Sequence, residues 1–355
     1  MVGEVDKRKA ELVRRVVRHR RGKISGAKGK VFDEFIAKYL ANVPPSDLDG
    51  HAVPEIYNLI REHWTFAAKR HTGKPSVRVY TPHKKSHGYH IGHTVIEVCN
   101  DDMPFLVDSI TVTLNKHGLK THLIIHPIIR VGRDVTGTMS EVMLSDEPVA
   151  GSLAESFIRI EISEQPKTRE AEIKRDIETT LSDVRAAVED WLPMRERMLG
   201  MIEELEAEPK GSTPEDIQEV SEFLRWIHDN NFTFLGFHDL KLAGTGKNLK
   251  MDADKKLSLG VMRSTETPAI GMMRNMPADI RSFITKPSLL FVTKSDARAT
   301  VHRSVNMDVI AVKKVDARGK VAGLRLFVGL FTSVAYNKSP RDIPLLRRRV
   351  TKILD

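Results

Sequence analysis

The stretch Val98-Cys99-Asn100-Asp101-Asp102-Met103-Pro104-Phe105-Leu106-Val107-Asp108-Ser109 is where the chain changes its period. On its N-terminal side, His93–Cys99 reads as a strand, with Val95 set among the β-branched Thr94 and Ile96. On its C-terminal side, Phe105, Leu106, Ser109, Ile110 and Leu114 recur at helical spacing until His117-Gly118 supplies a stop. Between the two, Asn100, Asp101 and Asp102 offer short polar acceptors, and Pro104 suits a first helical turn.

Downstream, Lys120–Val131 is an isoleucine-rich strand, Gly132–Leu144 is hairpin-like, and Ser156–Ser163 is a further strand. Strand, helix, strand, strand, helix is the order of a split βαβ sheet with helices on one face, and so of an α+β fold. This order sets the loop Asp101, Asp102, Met103, Pro104, Phe105 at the positive end of a helix, where backbone N–H groups can hold a carboxylate or phosphate. The plainer alternative is that Asp101 or Asp102 caps the helix with no ligand involved. Two adjacent carboxylates also repel an anion unless one turns away.

Upstream lies a strand, Val77–Tyr80, and then His83, His87, His90 and His93. Imidazole is a common zinc ligand, but no cysteine joins these four, and Pro82 and Gly88 argue against a helix aligning His83 with His87. A titrating surface loop is expected there, and no metal ligand is assigned. Helices are expected over 31–41, from Phe32, Phe35, Ile36, Tyr39 and Leu40, and from Pro54 to Ala67, from Ile56, Leu59, Ile60 and Trp64. Glycines at 22, 26 and 29 separate them from residues 4–21, an amphipathic basic helix.

Further along, Thr168–Leu192 reads as one long helix with a stripe from Ile173 to Trp191, ended or kinked by Pro193. Met194, Met198, Met201, Ile202 and Leu205 extend that stripe, either as a core seam or as a partner groove. Another helix starts at Thr213-Pro214. From Asn231 the period becomes two. Asn231–Leu240 is apolar on both alternations, Lys241–Leu259 is a hairpin turning at Gly244-Thr245-Gly246, and strands follow at 288–293, 300–315 and 324–335. Ser339-Pro340 is expected to start a helix that is still running at Asp355, as in the N-terminal portion of a longer chain.

Composition limits the function classes. The 355 residues are 41% hydrophobic and 29% charged, ordinary for a globular protein of two or three domains. No apolar run approaches the roughly 18 residues of a membrane span. The single cysteine, Cys99, forms no internal disulfide, in keeping with a cytoplasmic setting. Of the formal net charge of +9, nearly all lies in Met1–Lys30, a basic arm without aromatic residues to stack on bases. A solvated helix docked on the next domain is therefore expected, with no nucleic-acid or membrane partner.

The quoted stretch, together with Leu119–Arg130 (LKTHLIIHPIIR), resembles the N-terminal region of the large bacterial NAD-specific glutamate dehydrogenases. So do Phe232–Gly236, Val301–Arg303, Met307-Asp308 and the block from Gly329 through Arg348. The strand–loop–helix is similar to an ACT domain, an amino-acid-sensing module whose sites usually place glycine after the loop proline. Here that residue is Phe105. The later sheet is similar to a PAS-like sensor.

Charge and periodicity give a basic arm at 1–30 and a helical layer at 31–75, and the resemblance implies an ACT-like domain at 76–165. A helical connector at 166–230, a PAS-like domain at 231–338 and a helix start at 339–355 complete the organisation. The resemblance also implies NAD as the full enzyme's cofactor, the catalytic domain of the same polypeptide and a homo-oligomer as partners, an amino-acid effector, and allosteric regulation. The alternative is a free-standing amino-acid sensor. No G-x-G-x-x-G occurs, since Gly244-Thr245-Gly246 runs into Lys247-Asn248-Leu249, so no catalytic or cofactor-binding residue is assigned and no activity is expected of this chain alone.

Overall fold

A computed structural model describes residues 2–207, 212–243, 250–263, 282–284, 286–316 and 318–354. The backbone clusters into two compact units, Met1–Leu181 and Ser182–Asp355.

Three helices open the first unit: α1 (Val2–Arg20), α2 (Gly26–Ala41) and α3 (Val53–Ala67). The arm is docked. Val16 is fully buried, and Leu12, Val13 and Val17 pack on a core that includes Phe32, Phe35 and Tyr57. The Arg20 guanidinium pairs with Asp33. Gly29, expected to break the chain, instead lies inside α2. A Cβ there would come within 2.9 Å of both Arg20 Nη1 and the Ile24 carbonyl, so a side chain would collide with the end of α1.

The sheet comprises β1 (Ser76–Tyr80), β2 (His93–Asp101), β3 (Thr121–Ile125), β4 (Ile128–Arg133), β5 (Met139–Val142) and β6 (Ser152–Ser163). Its antiparallel order is β1-β2-β6-β4-β5, with β3 also on β6. Between these strands run α4 (Lys84–His87) and α5 (Leu106–Lys116), and α6 (Lys167–Glu189) follows. The strand expected over 120–131 is broken at His126-Pro127, because proline has no N–H to give a ladder. The helix argued against at His83 exists as the single turn α4, which the left-handed Gly88 ends at once.

Helices are not confined to one face. Cys99, Ile129, Val131 and Phe157 share one core with α1–α3, while the alternate positions Ile96, Val98, Ile158, Ile160 and Ile162 are also fully buried. Coverage on both sides explains why β2 reads as almost continuously apolar.

The second unit holds α7 (Trp191–Ala207), α8 (Pro214–Trp226), β7 (Phe232–Ala243), β8 (Lys250–Ala253), β9 (Leu259–Gly260), β10 (Leu290–Arg298), β11 (Asn306–Val315) and β12 (Val321–Phe331), then α9 (Ser333–Tyr336) and α10 (Leu346–Leu354). The sheet order is β10-β11-β12-β7-β8, all antiparallel, with β9 on β7. Met194, Met198, Met201 and Ile202 pack with Phe223, Phe234, Phe237, Ile310 and Phe327, so the methionine stripe is a core seam. Thr213 caps α8 as expected, accepting from Asp216 N–H at 3.2 Å.

Several boundaries move. The long helix ends at Glu189, and Pro193 falls in the first turn of α7, where its missing N–H has no intrahelical partner to lose. Trp191 leaves the stripe and is 40% exposed. The strand expected from 300 begins at Asn306, because Val301 is buried in a loop with the left-handed His302, and Val305 is exposed. The last strand stops at Phe331, after which Thr332 caps α9. The helix expected at Ser339-Pro340 starts only at Leu346, beyond the left-handed Leu345. The Gly244-Thr245-Gly246 turn lies outside the described residues, though its flanks β7 and β8 pair as a hairpin would.

Candidate functional site

The loop from Asp101 to Phe105 joins the end of β2 to α5. Neither aspartate caps the helix. The N-cap is Phe105, at φ 71° and ψ 3°, with no side-chain cap bond. Phe105 thus keeps the left-handed backbone that glycine adopts freely, at a cost of about 1–2 kcal/mol for a residue with a Cβ. Pro104 stands outside the first helical turn rather than within it.

The Asp101 carboxylate turns toward the helical layer. It accepts from Arg70 Nη2 at 2.7 Å and from the Gly73 backbone N–H at 2.9 Å. Asp102 turns the other way and accepts from Ser156 Oγ at 2.7 Å, while its N–H donates to the Ala154 carbonyl at 2.9 Å. Ser156 in turn lies 3.0 Å from His126 Nε2. Burial pushes the His126 pKa down, against the opposing charge of Asp102. The two carboxylates therefore diverge, which removes the repulsion their adjacency suggests.

Behind the loop lies a set of residues that the sequence reading did not assign. Arg70 bridges Asp101 and Glu155, reaching the latter at 2.5 Å, and Arg133 meets both Glu155 oxygens at 2.7 Å. Burial alone would raise the Glu155 carboxyl, but the hydrogen bonds from Arg133 and Arg70 outweigh it and hold the pKa below its usual range. Cys99 Sγ donates to Glu155 at 3.3 Å, and burial next to that carboxylate pushes the thiol pKa up.

A second buried pairing crosses β1, β2 and β6. Glu97 takes Arg78 at 2.7 Å and Arg159 at 3.0 Å, and Arg159 also meets Glu161 at 3.0 Å. The available signal was ionisable residues at the inward alternation of apolar strands: Glu97 on β2, and Glu155, Arg159 and Glu161 on β6. Which of them meet depends on strand register, which no local pattern reveals.

Asp102, exposed in the loop that precedes α5, can accept further hydrogen bonds besides that of Ser156. The loop itself is braced on both sides, through Arg70 and through Ser156. The histidines at 83, 87, 90 and 93 do not gather into one set, although His83 stacks on His90 with ring centroids 6.5 Å apart. His87 Nδ1 accepts from His83 N–H, and His93 stacks on His122 with ring centroids 4.2 Å apart. Among the described residues no group of three or more His, Cys, Asp or Glu side chains is placed to hold a metal ion, and no helix is long and apolar enough to cross a membrane.

Residues 35–177 match the family model described as Glutamate dehydrogenase, ACT1 domain. The chain is 33% identical over 348 residues to the NAD-specific glutamate dehydrogenase of Halomonas elongata, which takes in 97% of this chain and 22% of that protein. Against the NAD-specific glutamate dehydrogenase of Pseudomonas aeruginosa it is 27% identical over 321 residues, 90% of this chain and 20% of the other. Against that of Mycobacterium tuberculosis it is 25% identical over 300 residues, 83% and 17% respectively. The chain thus spans about a fifth of the length of these relatives.

Proposed function

We infer that this chain, which belongs with the NAD-specific glutamate dehydrogenases, is a non-catalytic N-terminal region of such an enzyme. The observation that carries the reading is the imbalance of coverage: 97% of this chain is used to match only 22% of the relative. The full enzyme would oxidise L-glutamate with NAD+ and water to 2-oxoglutarate, ammonium and NADH, in the cytoplasm. The region's task is regulation or subunit assembly, carried by an ACT-like first unit and a PAS-like second sheet. Support for the ACT-like reading comes from the β2–α5–β3/β4–β6–α6 order and the family match over residues 35–177. Support for the PAS-like reading comes from the five-strand antiparallel run β10-β11-β12-β7-β8 against α7 and α8.

The effector expected at the loop is an amino acid, with its carboxylate at the start of α5 and its ammonium at Asp102. Phe105 stands where the resemblance puts glycine, so its half-buried ring limits approach to the backbone.

The purified chain, given L-glutamate and NAD+, should form no NADH. Measurable turnover would overturn the non-catalytic reading. Millimolar L-amino acids should raise its melting temperature by preferential binding to the folded state. Asp102→Asn should abolish that shift while leaving the ligand-free melting temperature nearly unchanged. An equal shift in Asp102→Asn removes the loop as the site, and no shift with any amino acid removes the effector.

A further inference from the structure

Six strands of the two sheets have a strand on one side only among the described residues: β1, β3, β5, β8, β9 and β10. An open edge leaves a row of N–H and C=O groups unpaired and is a template for another chain, so natural edges are guarded by charge or kept short. Five of the six follow that rule. β9 has only two residues, β1 carries Arg78, and Glu141, Asp252 and the run Lys294, Asp296, Arg298 mark β5, β8 and β10. β3, Thr121-His122-Leu123-Ile124-Ile125, has five residues and no Asp, Glu, Lys or Arg.

Its partner β6 fixes which way the β3 backbone faces. Phe157 and Ser163 of β6 donate their N–H groups to the Pro127 and Lys120 carbonyls at 3.0 and 3.1 Å, so the odd-numbered residues of β6 bond toward this edge. Leu123 and Ile125 stand opposite Glu161 and Arg159 and bond back to β6. Ile124 stands opposite Ile160, and its N–H and C=O therefore point out of the edge of the sheet. Its side chain is 38% exposed, and Ile128, on the same face opposite Ser156, is 48% exposed. An outward backbone pair and two exposed isoleucines equip this edge for strand pairing.

We propose that β3 pairs antiparallel with β3 of a second copy, about a two-fold axis beside Ile124, joining two first-unit sheets into one. At the axis each Ile124 N–H donates to the other copy's Ile124 C=O, and the two isoleucine side chains lie side by side. Such a contact occupies both edges and stops at two copies. Charge favours self over a foreign partner. The chain carries a formal net charge of +9, so two copies repel wherever their charged surfaces meet, and this strand brings no formal charge against its twin. An uncharged strand also gives an acidic or basic segment of another protein nothing to recognise. The pairing rests on the subunit-assembly reading above and supplies its surface.

The test uses the full 355-residue chain. Sedimentation equilibrium from about 1 to about 300 µM, the range in which a small interface associates, should show a reversible monomer–dimer equilibrium. Ile124→Lys and Ile124→Glu each set like charges face to face across the axis, and each should weaken dimerisation at least about tenfold. Mixed in equal amounts, the two variants should pair with one another more tightly than either does with itself, a rescue that a folding defect cannot produce. On the unaltered chain, exchange of the Ile124 amide should slow about tenfold as the concentration passes the dissociation constant, and this readout decides alone if either variant does not fold. Unchanged dimer affinity in both variants, no rescue in their mixture, or an Ile124 amide left unprotected in the dimer overturns the pairing and leaves assembly to another surface. A chain that stays monomeric throughout overturns the assembly reading and the pairing with it.

Discussion

His63 shows what a single buried side chain contributes here. Its Nε2–H donates to the Val98 carbonyl at 3.3 Å, so the neutral ring accepts from the Tyr39 hydroxyl at Nδ1, 2.9 Å away. Burial lowers its pKa to about 4, against an unfolded value near 6.5. Between those two values the unfolded chain binds a proton that the folded chain refuses, so stability is full above about pH 6.5 and falls as pH drops toward 4. The loss from this residue is about 3 kcal/mol. His238 in the second unit, also lowered to about 4 by burial, adds to it in the same direction. Denaturant unfolding measured between pH 7.5 and 4.5 should show this decline, and a flat profile would contradict it. Phe105 offers a second check at this scale. Phe105→Gly and Phe105→Ala remove nearly the same side chain, but only glycine accepts φ 71° freely, so the alanine variant should be about 1 kcal/mol less stable. Equal stabilities would mean that the loop relaxes.

At the scale of elements, the strand-to-helix joint depends on Arg70, which stands outside the sheet and ties Asp101 and Glu155 together. Arg70→Met leaves two carboxylates short of a partner, with Glu155 fully buried, and should cost about 3–5 kcal/mol in urea unfolding. A cost below 1 kcal/mol would show that Arg133 suffices. Thr213→Ala, by contrast, removes one cap from α8 and should cost about 1 kcal/mol. The joint itself was legible in the sequence because its evidence is local. Alternation through Ile96, a polar turn and helical spacing from Leu106 each report on neighbouring residues. The pairings of Arg70, Glu97, Glu155 and Arg159 were not legible, because they join residues up to 85 positions apart, through strand register or, for Arg70, from a segment outside the sheet. Gly29 was misread for a related reason: its role is set by Arg20 and Ile24 crossing above it rather than by its own propensity. The late start of α10 has the same character. Ser339-Pro340 is a sound local start signal, but the strap to Leu345 is held by Glu219 of α8. At the loop, sequence located the five residues and the helix they precede, and only the structure showed that their two carboxylates diverge.

For the molecule as a whole, charge and packing meet in α1. The basic arm supplies nearly all of the net charge of +9, yet Val16 is wholly buried and Arg20 is paired. Deleting residues 1–21 should therefore lower stability by at least about 2 kcal/mol, through the apolar surface uncovered on α2 and α3. An unchanged melting temperature would mean that the arm is an appendage. Cys99 has another consequence at this scale. The chain holds one thiol, and it sits at the middle of the first unit's sheet with Glu155 and Arg133 closed over it. A thiol reagent can reach it only when β2 and β6 part, so the rate of labelling in native buffer serves as a stopwatch for that opening. Set beside the equilibrium unfolding energy, that rate tells whether the centre of the first unit opens by itself or only when the whole unit comes apart, without a probe having to be introduced.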